Sequence, residues 1–156
     1  MLRDVLSLVA LLGSGITAGV LVAVAVSVGP ALATLPAQRY APMHELLGKG
    51  YHPTMPILVT ATLLADVALA VLAPGAATRV LLVLATVLVV GVQAVSHLGN
   101  VPINRQVAKV GSGSAAGVGV PAGWDDPRPQ WRRWHLARTA MAVAVLAINA
   151  IVAVAL

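Results

Sequence analysis

Cysteine and phenylalanine are absent from this sequence, and charge is scarce: charged residues make up only 10%, with 5 acidic against 10 basic side chains. The lack of cysteine excludes disulfides, thiolate metal sites and cysteine nucleophiles, and leaves the redox compartment undetermined. With aromatics at 3%, no basic, aromatic-studded soluble domain exists, so the net charge of +5 does not point to nucleic acid. The missing phenylalanine, beside abundant Ala, Val, Gly and Arg, fits a GC-rich coding bias rather than a structural device.

What is present is hydrophobic length. Hydrophobic residues reach 59% and mean hydropathy is +0.92, far from an ordinary soluble domain. Val5–Val28 and Thr139–Leu156 carry no charge, Val80–Leu98 carries none, and Pro56–Ala73 carries only Asp66. About 20 mostly apolar residues cross a bilayer core as a helix. The expected fold is therefore all-α, an integral membrane four-helix bundle running up-down-up-down, with two larger loops on one side. The expected spans are about 5–28, 54–73, 78–98 and 135–156 of a single domain. A cleaved leader is the alternative for the first run, since Ala31-Leu32-Ala33 resembles a cleavage site. The run is too long for that, and its start is weakly basic because Asp4 offsets Arg3.

Gly15 and Gly19 on span 1 form a small-xxx-small pair suited to close helix approach. Gly29-Pro30 is expected to end span 1, and Pro102 to kink or end span 3. Residues 41–48 read as a short interfacial helix, Ala73-Pro74-Gly75 as a tight turn, and residues 111–123 as a flexible glycine-rich excursion. Arg39, Lys49, Arg105, Lys109, Arg128, Arg132 and Arg133 lie in loops 1 and 3, against Arg3 and Arg79 on the other side. The positive-inside rule then puts loops 1 and 3 in the cytoplasm and both termini outside, in a plasma membrane.

Polar residues inside spans are costly and therefore functional suspects. Gln93, His97, Asn100 and Asn104 share a helical face by spacing, as do His135, Arg138 and Asn149. With Tyr40, His44 and His52 from loop 1, these outline a polar pocket at the loop end, apolar deeper in. Arg138 lies inside the start of span 4 and needs a carboxylate, carbonyls or an anionic ligand. Asp66 sits several turns deeper, left to a proton or to span 1 hydroxyls. The bland readings are interfacial hydrogen bonding for His44 and His52, a cap for Asn100, and membrane-belt placement for Trp131 and Trp134. The four histidines raise a metal or haem, but no ligand pair has a metal-site spacing; no metal is assigned. No nucleotide or hydrolase motif occurs.

The run Asn100-Val101-Pro102-Ile103-Asn104, followed by Trp131, Trp134-His135 and Arg138, resembles the signature of the anthrone oxygenase-like family of small membrane proteins. The glycine-rich first span and Gly48-Lys49-Gly50-Tyr51-His52-Pro53-Thr54-Met55-Pro56 are similar too. The resemblance implies a four-helix membrane protein that oxidises anthrones with O2 and without an established flavin or haem. Its partners are then an apolar or aromatic small molecule and the lipid bilayer. On that reading His135 or His97 is the base, Arg138 holds the oxyanion, and Asn100 and Asn104 orient the substrate. Trp131 or Trp134 stacks on its rings, and Tyr40, His44 and His52 line the mouth. The rival readings are a non-catalytic subunit of a larger membrane complex, a homo-oligomer included, and a His-ligated redox protein.

Overall fold

The computed structural model describes residues 1–115, 120 and 123–155. Among these there is no strand, and four helices are long and apolar enough to cross a membrane. Helix α1 runs Leu2–Ala33, α2 Ala37–Lys49 and α3 Thr54–Leu72. Helix α4 joins Ala76–Val95, a π turn at Ser96–Asn100 and Val101–Ala115 into one rod, and α5 runs Arg128–Ala155.

Two expected helix ends are corrected. Neither Gly29-Pro30 nor Pro102 stops its helix. Proline lacks an N–H and its ring clashes with the carbonyl four residues earlier. For Pro30 that is Val26 and for Pro102 it is Leu98. Each lies inside a π turn, Val24–Val28 in α1 and Ser96–Asn100 in α4. The wider turn relieves the clash, and the helix continues with an extra residue inserted. Helix α2 also extends further than the expected 41–48, α5 starts at Arg128 rather than 135, and residues 111–115 continue α4. The rest of the expected flexible segment, 116–119 and 121–122, lies outside the described residues.

Close helix approach occurs at glycines other than the expected pair. A Cβ on Gly15 would make only ordinary contact and one on Gly19 would meet open space. A Cβ on Gly13 would collide with the Thr62 side chain, one on Gly91 would lie 2.7 Å from Met141 Sδ, and one on Gly99 would lie 2.6 Å from the Trp134 ring. These contacts fix the antiparallel register. Gly13 lies against Leu58 and Thr62, so the start of α3 stands near the Val20–Leu21 level of α1. By the same counting Ser96 stands beside Arg138.

The bundle therefore has two tiers. The 19 residues of α3 span about 28 Å, the thickness of a hydrocarbon core. In this lower tier α1, α3, α4 and α5 enclose Ala10, Ala65, Leu69, Leu82, Ala85 and Val145. Its outer face shows Leu8, Leu12, Leu64, Val71, Val87 and Ile151 to the surroundings, an apolar surface suited to lipid rather than water. Above the start of α3, the ends of α1 and α4, the start of α5 and all of α2 form an upper tier. Its core is Leu32, Tyr40, Ala41, Ile103, Val107 and Val110.

Candidate functional site

The upper tier places its polar residues where the two π turns face the start of α5. His135 is 1% exposed, and its Nε2 lies 3.0 Å from the Leu21 carbonyl oxygen. A carbonyl only accepts, so Nε2 carries the proton and Nδ1 is left as an acceptor. Arg138 donates to that acceptor from two atoms, its Nε at 3.2 Å and Nη2 at 2.9 Å from Nδ1. The remaining arm, Nη1, donates to Ser96 Oγ at 3.3 Å, and Ser96 donates to the Val92 carbonyl at 2.7 Å. The guanidinium thus finds neutral acceptors on α4 and α5, with no carboxylate among its described partners.

Trp131 lies flat on His135, with ring centres 4.8 Å apart and planes 4° from parallel. Its Nε1 donates to Asn104 Oδ1 at 2.8 Å, and its carbonyl accepts from Asn100 Nδ2 at 3.1 Å. Asn100 is 0% exposed, and its Oδ1 is an acceptor without a partner. Asn104 Oδ1 also lies 3.0 Å from His44 Nε2, which makes that nitrogen a second donor to it. His44 Nδ1 is then the acceptor for the Tyr40 hydroxyl at 3.2 Å. One line of contacts therefore runs from Tyr40 through His44, Asn104 and Trp131 to His135 and Arg138.

Burial sets the electrostatics of the part contributed by α2. It holds the His44 imidazole below its ordinary value of 6.5, an effect the Asn104 hydrogen bond partly offsets, so this ring is neutral at physiological pH. Burial also pushes the Tyr40 hydroxyl up to about 12, against the opposing charge of Arg128. Arg128 stands 5.0 Å from the centre of the Tyr40 ring. It bonds both Asp126 carboxylate oxygens and donates to the carbonyls of Ala33 and Leu35. Asp126 is held below the usual carboxylate range by those bonds to Arg128. This cluster ties the start of α5 to the end of α1.

Between these two helices lies a small, open-mouthed cleft. One wall is apolar, built by Val24, Ala25, Leu32 and Ala33; the other carries Tyr40, His44, Arg128, Trp131, Arg132 and His135. The expected site residues divide accordingly. Tyr40, His44, Asn100, Asn104, Trp131, His135 and Arg138 come together, although Arg138 lies behind His135 rather than on the cleft wall.

His97, His52 and Trp134 do not join them. His97 is exposed and its Nδ1 bonds the Gln93 carbonyl at 2.8 Å. The π turn rotates the downstream half of α4 by roughly a quarter turn, which breaks the shared face that α-helical spacing gives Gln93, His97, Asn100 and Asn104. His52 is exposed in the turn before α3. Trp134 is 40% exposed on the outer surface over Gly99. Asn149 faces the interior but in the lower tier, bonded to α1. Sequence reasoning missed Arg128 and Arg132 as cleft residues and the α1 wall; the pairing of Asp126 with Arg128, two positions apart, was a signal for the former. Among the described residues no three His, Asp or Glu side chains converge as a metal site.

Fold and site together define a polytopic helical membrane protein with an imidazole- and indole-lined cleft at one rim of its bundle. The sequence model of the anthrone oxygenase family matches residues 43–148, well over half of the 156 residues, and the chain belongs to that family. The match takes in α3, α4, part of α2 and the part of α5 that carries Trp131, His135 and Arg138. Comparison with curated proteins and with solved structures found no match.

Proposed function

We propose that the protein is a membrane oxygenase that uses O2 to oxidise an anthrone or a related flat polyketide-type ring system with an acidic C–H. An anthrone CH2 is flanked by two aryl rings and stands across the central ring from the carbonyl. Removing its proton places the charge on that oxygen. The carbanion passes one electron to O2, and the carbon radical and superoxide combine to a peroxide anion, which takes the first proton back from the base to become the hydroperoxide. Loss of the second C–H proton with departure of hydroxide leaves a new carbonyl. One anthrone and one O2 yield one anthraquinone and one water.

His44 is the base in this reading. Asn104 fixes its Nε2 proton, so Nδ1 is free to take a proton once the Tyr40 hydroxyl turns to the substrate. Arg132 borders the cleft, and in this reading its guanidinium swings in to serve the enolate oxygen. His135 Nδ1 accepts from two guanidinium nitrogens of Arg138 at once, whereas His44 Nδ1 faces a single hydroxyl that can turn, so His135 and Arg138 act as positioning residues that hold the Trp131 ring against the slot. The apolar α1 wall admits O2 and the hydrocarbon face of the rings.

The observation that carries this reading is a neutral, tautomer-fixed imidazole facing an apolar cleft in a chain of this family. Oxygen uptake by the purified protein with an anthrone tests it. We expect one O2 consumed per anthrone, and a fall of about a hundredfold or more in His44→Gln. A rate no faster than spontaneous oxidation, or one unchanged in His44→Gln, overturns it.

A further inference from the structure

We propose that the cleft opens to the bilayer along its lower edge, between Ala25 of α1 and Leu136 of α5, and that its ligand is a flat ring system carrying an aliphatic chain that stays in the lipid. The inference rests on the oxidation proposed above for the ring, and adds what the ring can carry. Exposure separates the floor of the cleft from its mouth. Val24, Leu32, Tyr40, His44 and His135 are buried, whereas Pro30, Ala33, Arg132 and Leu136 are exposed. The floor therefore reaches α2, and the mouth lies on the outer side of the pair formed by α1 and α5.

The height of that mouth follows from the register. The contact of His135 with the Leu21 carbonyl stands level with the first turn of α3, where the tier of hydrocarbon thickness ends. Leu136 lies at this level, and Ala25 lies about 6 Å above it. Both lips of the lower edge are thus apolar and at the boundary of the hydrocarbon. The neighbouring side chains are apolar and outward-facing as well: Leu136 is 42% exposed, Val26 71% and Val22 37%. The upper end is different, because Arg132 and Arg128 stand about one and two turns above His135. The lining therefore grades from charge on the water side to hydrocarbon on the membrane side. A ring with an acidic oxygen toward the arginines and a chain on its far edge matches that gradient. Such a chain never leaves the lipid when the ring binds, so its length adds no cost.

The test places the full chain in phosphatidylcholine vesicles and titrates 1,8-dihydroxyanthraquinones bearing a methyl, hexyl or decyl chain at ring position 3. Binding is read as saturable quenching of tryptophan emission, and because these probes are already oxidised it is measured apart from turnover. Expressed per mole of lipid, the affinities should agree within about threefold. A mouth that met only water would cost about fourfold per methylene, and a closed one would reject the longer chains; either pattern overturns the proposal. Ala25→Phe sets a ring across the gap and should lower the affinity for the decyl probe about tenfold or more relative to the methyl probe. Should that variant fail to fold, Leu136→Trp at the exposed lip is expected to do the same. A decyl-to-methyl ratio unchanged in the folded variant also overturns the open edge. Chain-independent binding without O2 uptake by the methyl anthrone would leave the open edge standing and remove the oxidation, whereas no binding by any probe removes both.

Discussion

At His44 a single hydrogen-bond assignment links three helices, because Asn104 of α4 takes its Nε2 proton while Trp131 of α5 donates to the same oxygen. Burial depresses the proton affinity of this ring, and that fixes the sign of the pH effect. The unfolded chain binds a proton near 6.5 and the folded ring does so only at lower pH. Stability from this group is therefore intact above that value and is lost as pH falls below it. We expect the acid limb of kcat/KM to lie below pH 6.5, and His44→Gln to remove the limb along with most of the activity. Tyr40, raised to about 12, remains a donor throughout. Arg138 makes a different prediction. Its planar fork meets one nitrogen of His135 with two of its own, a geometry a lysine point charge does not reproduce. Arg138→Gln should insert and purify normally, lose roughly tenfold or more in kcat, and change the emission of the stacked Trp131. Arg138→Lys should rescue it poorly. Full turnover in Arg138→Gln contradicts the positioning role.

Among the elements, the two π turns set the site, and each depends on a proline placed two residues beyond it. Replacing Pro102 by alanine restores the N–H and removes the ring clash, so Ser96–Asn100 is free to tighten into ordinary α-helix. Asn100 and Asn104 would then rotate away from Trp131. Pro102→Ala should lower activity far more than it lowers the melting midpoint, since the lower-tier packing is untouched; equal loss of both would contradict this. Gly13 gives the converse. Its Cβ position is occupied by Thr62, so Gly13→Val should destabilise the bundle by about 1–3 kcal/mol while leaving KM of the folded fraction unchanged.

The same contrast between tiers governs how much of the molecule is legible in its sequence. Four spans are legible because uncharged runs of bilayer length have few other uses. Asn100, Asn104, Trp131, His135 and Arg138 are legible because polar side chains beside such runs need a reason to be there. The π turns are not legible, since an inserted residue leaves no mark on composition. The face drawn through His97 by 3.6-residue spacing therefore fails where the helix itself departs from that period. The α1 wall is hidden for another reason: Val24, Ala25 and Ala33 look like any other lipid-facing residues until α5 crosses beside them.

For the whole molecule, charge distribution gives the clearest expectation. Lys and Arg concentrate on α2, on the last turns of α4 and on the first turns of α5, and only Arg3 and Arg79 lie at the other rim. We expect reporter fusions to place that side in the cytoplasm and residue 1 outside. A cytoplasmic signal from the N-terminus would reverse the orientation and put the cleft on the far side.

That α3 stops one level below the cleft also bears on how such a protein can diversify. The outer faces of the lower tier meet the surroundings, whereas the cleft is lined from residues 24–44 and 128–136, and the two sets hardly overlap. Substrate preference is then free to drift without endangering biogenesis. A chimera that receives those two segments from a relative should reach the bilayer as its parent does while inheriting the donor's chemistry.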